Sequence, residues 1–243
     1  MIKRAIRREG ELMGTKGWII FSVVTVVLLG GLIYFSGQNR IDVSGFDLEK
    51  PISANETNGQ IGDNVFGKKD SKVVLIEYGD FQCPGCAGAH PTIKKITEKY
   101  EDSVTFVFRN LPMPSLHPHA RAAAAVSEAA GKQGKYWDMH NMLYEKQNEW
   151  SGASSSERAT VFEGYARTLG LDIETFKEDI ASESVTQKIN FDLAIAKAKD
   201  YKATPSFSLN GTTLSSDVWG DEEKLEQALK DELEKAGIDV DEE

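Results

Sequence analysis

Lys72 to Tyr78 (KVVLIEY) reads as a buried strand, and five residues after it comes Cys83-Pro84-Gly85-Cys86. The run is apolar and β-branched, as a central strand of a covered sheet is. The proline after the first cysteine fits the opening turn of a helix, where a missing N–H costs nothing. Strand, turn and helix therefore meet at a C-x-x-C, which points to an α/β architecture with helices packed on one central sheet. Cys83 and Cys86 are the only cysteines among 243 residues, so within the molecule each can pair only with the other. A bond across so short a loop removes little unfolded-state entropy. The pair is better explained by chemistry, and the chemistry open to it is thiol–disulfide exchange.

At a helix amino terminus Cys83 meets unpaired N–H groups and the positive end of the dipole, which favour thiolate over thiol. Cys86, one turn further in, is the more buried and the resolving thiol. Half of a zinc site is the competing reading. It would need two more ligands from His90, His117, His119 and His140, and His117-x-His119 lacks the usual spacing. No metal or other cofactor is expected.

The run Trp18 to Phe35 carries no charge over 18 residues, about 27 Å as a helix and close to a bilayer's hydrocarbon thickness. A cleaved signal peptide competes, but the run is long for one and Phe35-Ser36-Gly37 is a poor cleavage site. Lys3, Arg4, Arg7, Arg8 and Lys16 precede the run, while only Arg40 and Lys50 follow closely, which keeps the amino terminus cytoplasmic. The expected organisation is a basic cytoplasmic segment 1–17, a signal anchor 18–36, a flexible linker 37–65 and a folded domain 66–243 outside the cytoplasm. There disulfides persist. The net charge of −10, despite that basic start, argues against nucleic acid as a partner.

Within the domain, Ser103 to Arg109 alternates as a second strand. From about His117 to Tyr201 nearly every segment reads helical. Ser206–Leu209 and Thr212–Leu214 flank Asn210-Gly211, the signal of a hairpin with a type I′ turn. Asp221 to Lys235 closes the chain as an amphipathic helix, with Leu225, Leu229 and Leu233 on one face. Asn55-Glu56-Thr57 and Asn210-Gly211-Thr212 match glycosylation sequons, which chance alone often produces.

The stretch VVLIEYGDFQCPGCAGAHP resembles the active-site segment of the DsbA-like disulfide oxidoreductases of the thioredoxin superfamily. The resemblance continues through RNLPMPSLHPHARAAAA and GKQGKYWDMHNMLYEKQ to ATPSFSLNG, over about residues 62–236. It implies a thioredoxin-like fold with a helical insertion, about 115–201, preceded by one transmembrane helix. Cys83 is then the nucleophile and Cys86 the resolving thiol, with Pro84 and Gly85 between them facing substrate. Pro205 becomes a cis-proline beside the disulfide, and Thr204 offers backbone hydrogen bonds to a bound peptide. Glu77 matches the family's buried acid, a proton relay to Cys86; an outward-facing residue on an edge strand is the alternative. Pro91 matches a helix-kink proline. His117 and His119 match a loop-fixing His-Pro segment, and Trp137, His140 and Tyr144 read as core. Gly85 stands where the family's strong oxidant has histidine, which implies a milder oxidant, and Ala203 replaces a usual glycine.

The function expected is donation of the Cys83–Cys86 disulfide to thiols of exported proteins, with reoxidation by a membrane quinone-linked thiol oxidase. The segment 37–65 is too short for a dimerisation domain, so a monomer is expected. A reductase or isomerase kept reduced by a membrane carrier is the nearest rival. A membrane-tethered peptide-binding chaperone is the non-enzymatic one.

Overall fold

A computed structural model describes residues 15–38, 41–54 and 61–239. Residues 1–14 of the expected basic segment and residues 39–40 and 55–60 of the expected linker, with the Asn55 sequon, lie outside the described residues. The chain divides into two compact units, residues 1–41 and 42–243. In the first, helix α1 spans Thr15–Gln38. Its side chains are described over residues 17–31, where Trp18 and the nine large apolar residues from Ile19 to Leu29 are all exposed. Among the described residues no helix is long and apolar enough to cross a membrane.

The second unit is an α/β domain. In chain order it holds β1 (Val65–Gly67), β2 (Val74–Gly79), α2 (Pro84–Lys99) and β3 (Thr105–Asn110). A helical block follows, from α3 (Ala120–Lys132) and α4 (Tyr136–Glu145) through α5 (Gln147–Trp150), α6 (Ser155–Thr168) and α7 (Ile173–Ile180) to α8 (Glu183–Ala198). Then come β4 (Ser206–Leu209), β5 (Thr212–Leu214), the short α9 (Ser216–Trp219) and α10 (Glu222–Lys235). The sheet order is β1-β3-β2-β4-β5. Only β2 and β3 are parallel, as the intervening α2 requires; the other pairs are antiparallel. The β4–β5 turn places Asn210 at φ 46° and Gly211 at φ 84°. Two successive positive φ values are the demand that Asn-Gly meets in a type I′ turn.

Strand periodicity distributes the core. Leu75, Phe106 and Phe207 face α2 and α10 with Ile93, Ile96, Leu225, Leu229 and Leu233. Ile76, Tyr78 and Val107 face the other way, against Phe191 and Ile195 of α8. A third cluster fills the helical block and reaches Phe81, Cys83, Cys86 and Phe108. The cysteine loop thus lies where insertion and sheet share one core.

The stretch expected as linker departs from that reading. Val43 and Ile52 are buried beside Ile76 and Val107. Asp63 is a buried carboxylate held by Arg109 Nη2 at 2.9 Å and Lys188 Nζ at 3.0 Å. Arg109 also donates to the carbonyls of Leu48 (2.6 Å) and Lys50 (2.9 Å). Residues 42–54 and 61–65 are part of the folded unit because buried cations of β3 and α8 need these partners.

Candidate active site

The turn between β2 and α2 is built around Asp80. Its Oδ1 accepts from Gln82 N at 2.8 Å, and its carbonyl accepts from Cys83 N at 3.0 Å. Its Oδ2 accepts from Met113 N at 2.9 Å and lies 2.8 Å from His117 Nδ1. One buried carboxylate therefore fixes both the cysteine loop and the 111–117 loop beside it. Cys83 is the N-cap of α2, extended at φ −70°, ψ 123°, and Pro84 occupies the first turn. Pro84 and Gly85 are exposed, Cys83 is 7 % exposed and Cys86 fully buried.

Both thiols are free in this structure. The Cys83 thiol is drawn down to about 5, first by a hydrogen bond with the Cys86 thiol, then by hydrogen bonds from Thr204 and from the backbone N–H groups of Cys86 and Gly85, against a rise from burial. Cys86 is pushed far above the ordinary thiol range, by burial first, then by its hydrogen bond to Cys83 and the charge of Glu77. Two cysteines one turn apart thus hold opposite protonation states at neutral pH, one thiolate and one thiol.

Glu77 lies under this pair on a central strand, 3 % exposed, which excludes the edge position left open by sequence. Burial, and then the charge of Cys83, raise its carboxyl to about 8. It is a protonated acid at neutral pH. Gly79, two residues on, makes room for it. A Cβ there would stand 2.3 Å from the Phe108 ring and 2.9 Å from Glu77 Oε1.

On the far side of Cys83, the Thr204–Pro205 peptide is cis. Cys83 Sγ lies 3.4 Å from the Thr204 carbonyl oxygen. A Cβ on Gly85 would stand 3.4 Å from Pro205 Cδ and 3.6 Å from Cys83 Sγ, so Gly85, Pro205, Thr204 and Cys83 meet at one point. Pro91 lies inside α2. His119 stands at the N-cap position of α3 without a capping side-chain bond, and accepts from Arg158 Nη1 at 2.7 Å. Trp137, His140 and Tyr144 stand in one aromatic cluster with Phe81, His90 and Phe108.

Two residues absent from the sequence reading tie the loop to the insertion. Gln147 Nε2 donates to the carbonyls of Phe81 (2.8 Å) and Cys83 (3.1 Å). Gln82 Nε2 donates to Ser151 O at 2.8 Å, and its Oε1 accepts from His119 N at 2.6 Å. No local pattern marks them, because a glutamine acquires such a role only when distant carbonyls are brought to it. Among the described residues no group of three or more His, Cys, Asp or Glu side chains is arranged to hold a metal ion.

The profile of the Thioredoxin family matches residues 60–231. Curated relatives include an Na(+)/H(+) antiporter NhaA 1 of Salinispora arenicola, 36% identical over 149 residues, 61% of this chain and 22% of that protein. Another is an Na(+)/H(+) antiporter NhaA of Herminiimonas arsenicoxydans, 34% identical over 196 residues, 81% of this chain and 30% of that protein. The chain spans roughly a quarter of the length of the curated relatives it matches. Among solved structures, Wolbachia pipientis alpha-DsbA1 is similar with a TM-score of 0.63 and 22% identity, over 72% of this chain and 92% of that one. Oxidised BdbD from Bacillus subtilis gives 0.62 and 24%, over 76% and 98%. A thioredoxin-like oxidoreductase from Silicibacter pomeroyi gives 0.57 and 25%, over 76% and 98%.

Proposed function

The chain belongs to the Thioredoxin family, and from that premise we propose that it is a thiol–disulfide oxidoreductase working as an oxidase, which passes the Cys83–Cys86 disulfide to thiols of exported proteins. A substrate thiolate attacks Cys83 Sγ, the Cys83–Cys86 bond breaks, and its electron pair leaves on Cys86. That sulfur takes a proton, for which the protonated Glu77 beneath the pair is the donor. The second substrate thiolate then attacks the mixed disulfide, and Cys83 departs as a thiolate. The substrate has lost two electrons and two protons; the protein holds one thiol and one thiolate, and the other proton goes to solvent. Thr204 and Pro205 flank the sulfur attacked, where a bound peptide lies along the Thr204 backbone, and Pro84 and Gly85 form the exposed rim.

The observation that carries the oxidase direction is the lowered Cys83 thiol. A thiol held as thiolate stabilises the reduced protein and is a good leaving group, and both effects favour handing the disulfide on. Gly85 contributes only its N–H to this, with no charge. Reoxidation falls to a quinone-linked thiol oxidase in the membrane, and the protein works as a monomer.

The place of action is the outer face of a cell membrane. What supports it is the sequence itself, in the uncharged run Trp18–Phe35 with basic residues gathered before it. Alkaline carbonate washing of membranes should leave the chain in the pellet; release into the wash overturns the anchor. Direction is tested by acid quenching of cells and alkylation of the trapped thiols. The expected result is a mainly disulfide Cys83–Cys86 pair, and a mainly dithiol pair favours the reductase. Replacement Cys83→Ser should halt maturation of disulfide-containing exported proteins. Unimpaired maturation points instead to a peptide-binding chaperone.

A further inference from the structure

Tyr144, on α4 of the insertion, packs its ring among Phe81 (centroids 5.0 Å apart), His90 (5.1 Å), His140 (5.1 Å) and Phe108 (6.1 Å). Phe81 stands two residues before Cys83, and His90 one helical turn after Cys86, so the ring lies against both ends of the cysteine segment. A phenylalanine would fill this apolar site equally well. The hydroxyl instead is buried with no hydrogen-bond partner. Burying a polar group unpaired is unfavourable, so an unused hydroxyl in such a place calls for a use. Tyr144 shares the core cluster of Cys86. Of the charges around its hydroxyl, Cys86 acts on it most strongly and Glu77 next, and burial above all keeps the phenol protonated.

We propose that the Tyr144 hydroxyl is a preformed hydrogen-bond donor for the Cys86 sulfur, engaged when the Cys83–Cys86 bond breaks and Cys86 carries the departing negative charge. This deepens the oxidoreductase reading above and rests on it. In the dithiol form the Cys86 sulfur is a neutral thiol and a weak acceptor, so what the hydroxyl gains from it there is small. As the substrate thiolate attacks Cys83, charge grows on Cys86 in a dry pocket. A fixed donor there acts on the transition state more than on either end state. The proton stays on the phenol throughout. Tyr144 lowers the cost of the charge, and Glu77 then neutralises it.

The test uses the full chain in detergent, oxidised at Cys83–Cys86 and mixed with reduced glutathione at pH 7. Tryptophan fluorescence follows reduction, and the end point in glutathione buffers gives the equilibrium constant. Glutathione thiolate attacks Cys83, a second glutathione releases glutathione disulfide, and the protein ends as the dithiol. Tyr144→Phe should slow the reduction roughly tenfold, the size of a hydrogen bond to a charged group, with the equilibrium constant held within about twofold. Difluorotyrosine at position 144, a stronger donor of nearly the same shape, should speed it, and this second variant guards against a folding defect in the first. Unchanged rates in both variants overturn the proposal. So does a parallel fall of rate and equilibrium constant, which marks a merely structural role. A parent protein that does not exchange with glutathione at all overturns the oxidoreductase reading itself, and this proposal with it.

Discussion

Cys83 and Cys86 lie within one helical turn, yet their surroundings drive the two thiols apart. Hydrogen bonds reach Cys83 at the helix mouth, whereas Cys86 is sealed among Phe81, Phe108 and the α4 aromatics. The rate of iodoacetamide alkylation of the reduced protein should therefore rise through a midpoint near pH 5, where Cys83 loses its proton, and level off by about pH 7. A midpoint between about 8 and 9, the range of an ordinary thiol, contradicts this electrostatic picture. Glu77 titrates in the opposite sense. Its folded value is raised from 4.5 to about 8, so the folded state binds the proton more tightly than the unfolded state does. The associated stability is fully present below about pH 4.5 and is lost as pH rises through about 8. Glu77→Gln removes that loss. The variant should gain about 5 kcal/mol over the parent at pH 9 while differing little at pH 4, as read by urea unfolding at both pH values. Its exchange with glutathione should fall about 100-fold, the usual contribution of a general acid. An equal rate would remove Glu77 from the proton path.

Much of the architecture was legible at the scale of elements, because most of them carry their own local signature. The apolar run into Pro84 gave β2 and α2, alternation gave β3, and Asn210-Gly211 gave the β4–β5 hairpin. Residues 42–54 and 61–65 do not read as folded from sequence because their anchors are remote in the chain. Asp63 meets Arg109 46 residues away and Lys188 125 residues away, and no local period announces either. The same holds for β1, only three residues long, and for Gln82 and Gln147, which bind carbonyls across the fold. Tyr144 sits at helical spacing with His140 and so reads as core; only its unpaired hydroxyl beside Cys86 sets it apart. The Asp63 cluster yields a direct expectation. Asp63→Asn leaves Arg109 and Lys188 buried with one carboxylate fewer, and breaking such a pair costs about 3 kcal/mol or more. Urea unfolding should show this loss, and limited proteolysis should cut earlier within residues 42–65. A variant as stable and as resistant as the parent would mean that this segment is not fastened by charge.

For the whole molecule, redox state and folding stability are linked through one titrating sulfur. In the dithiol form the Cys83 thiol falls from about 9, its ordinary value, to about 5 in the folded state. Between these limits the unfolded dithiol chain binds more protons than the folded one, so the stability of the reduced protein rises with pH. The disulfide form has no such group, and its stability lacks this slope. Cys86 adds nothing in the window, since it stays protonated in the folded state and largely so in the unfolded chain. Glu77 acts against the trend in both forms, and its effect largely cancels in the difference between them. The stability of the dithiol form relative to the disulfide form should therefore increase by about 1 kcal/mol per pH unit from pH 5 to pH 8. Paired urea unfolding curves of the two forms over that range measure it. A flat difference would mean that the fold does not favour the Cys83 thiolate, and the physical basis for an oxidant would be gone. A rising one would tie the hydrogen bonds from the Cys86 thiol, Thr204 and the α2 backbone to the direction in which electrons move, because whatever stabilises the folded dithiol over the folded disulfide also raises the reduction potential.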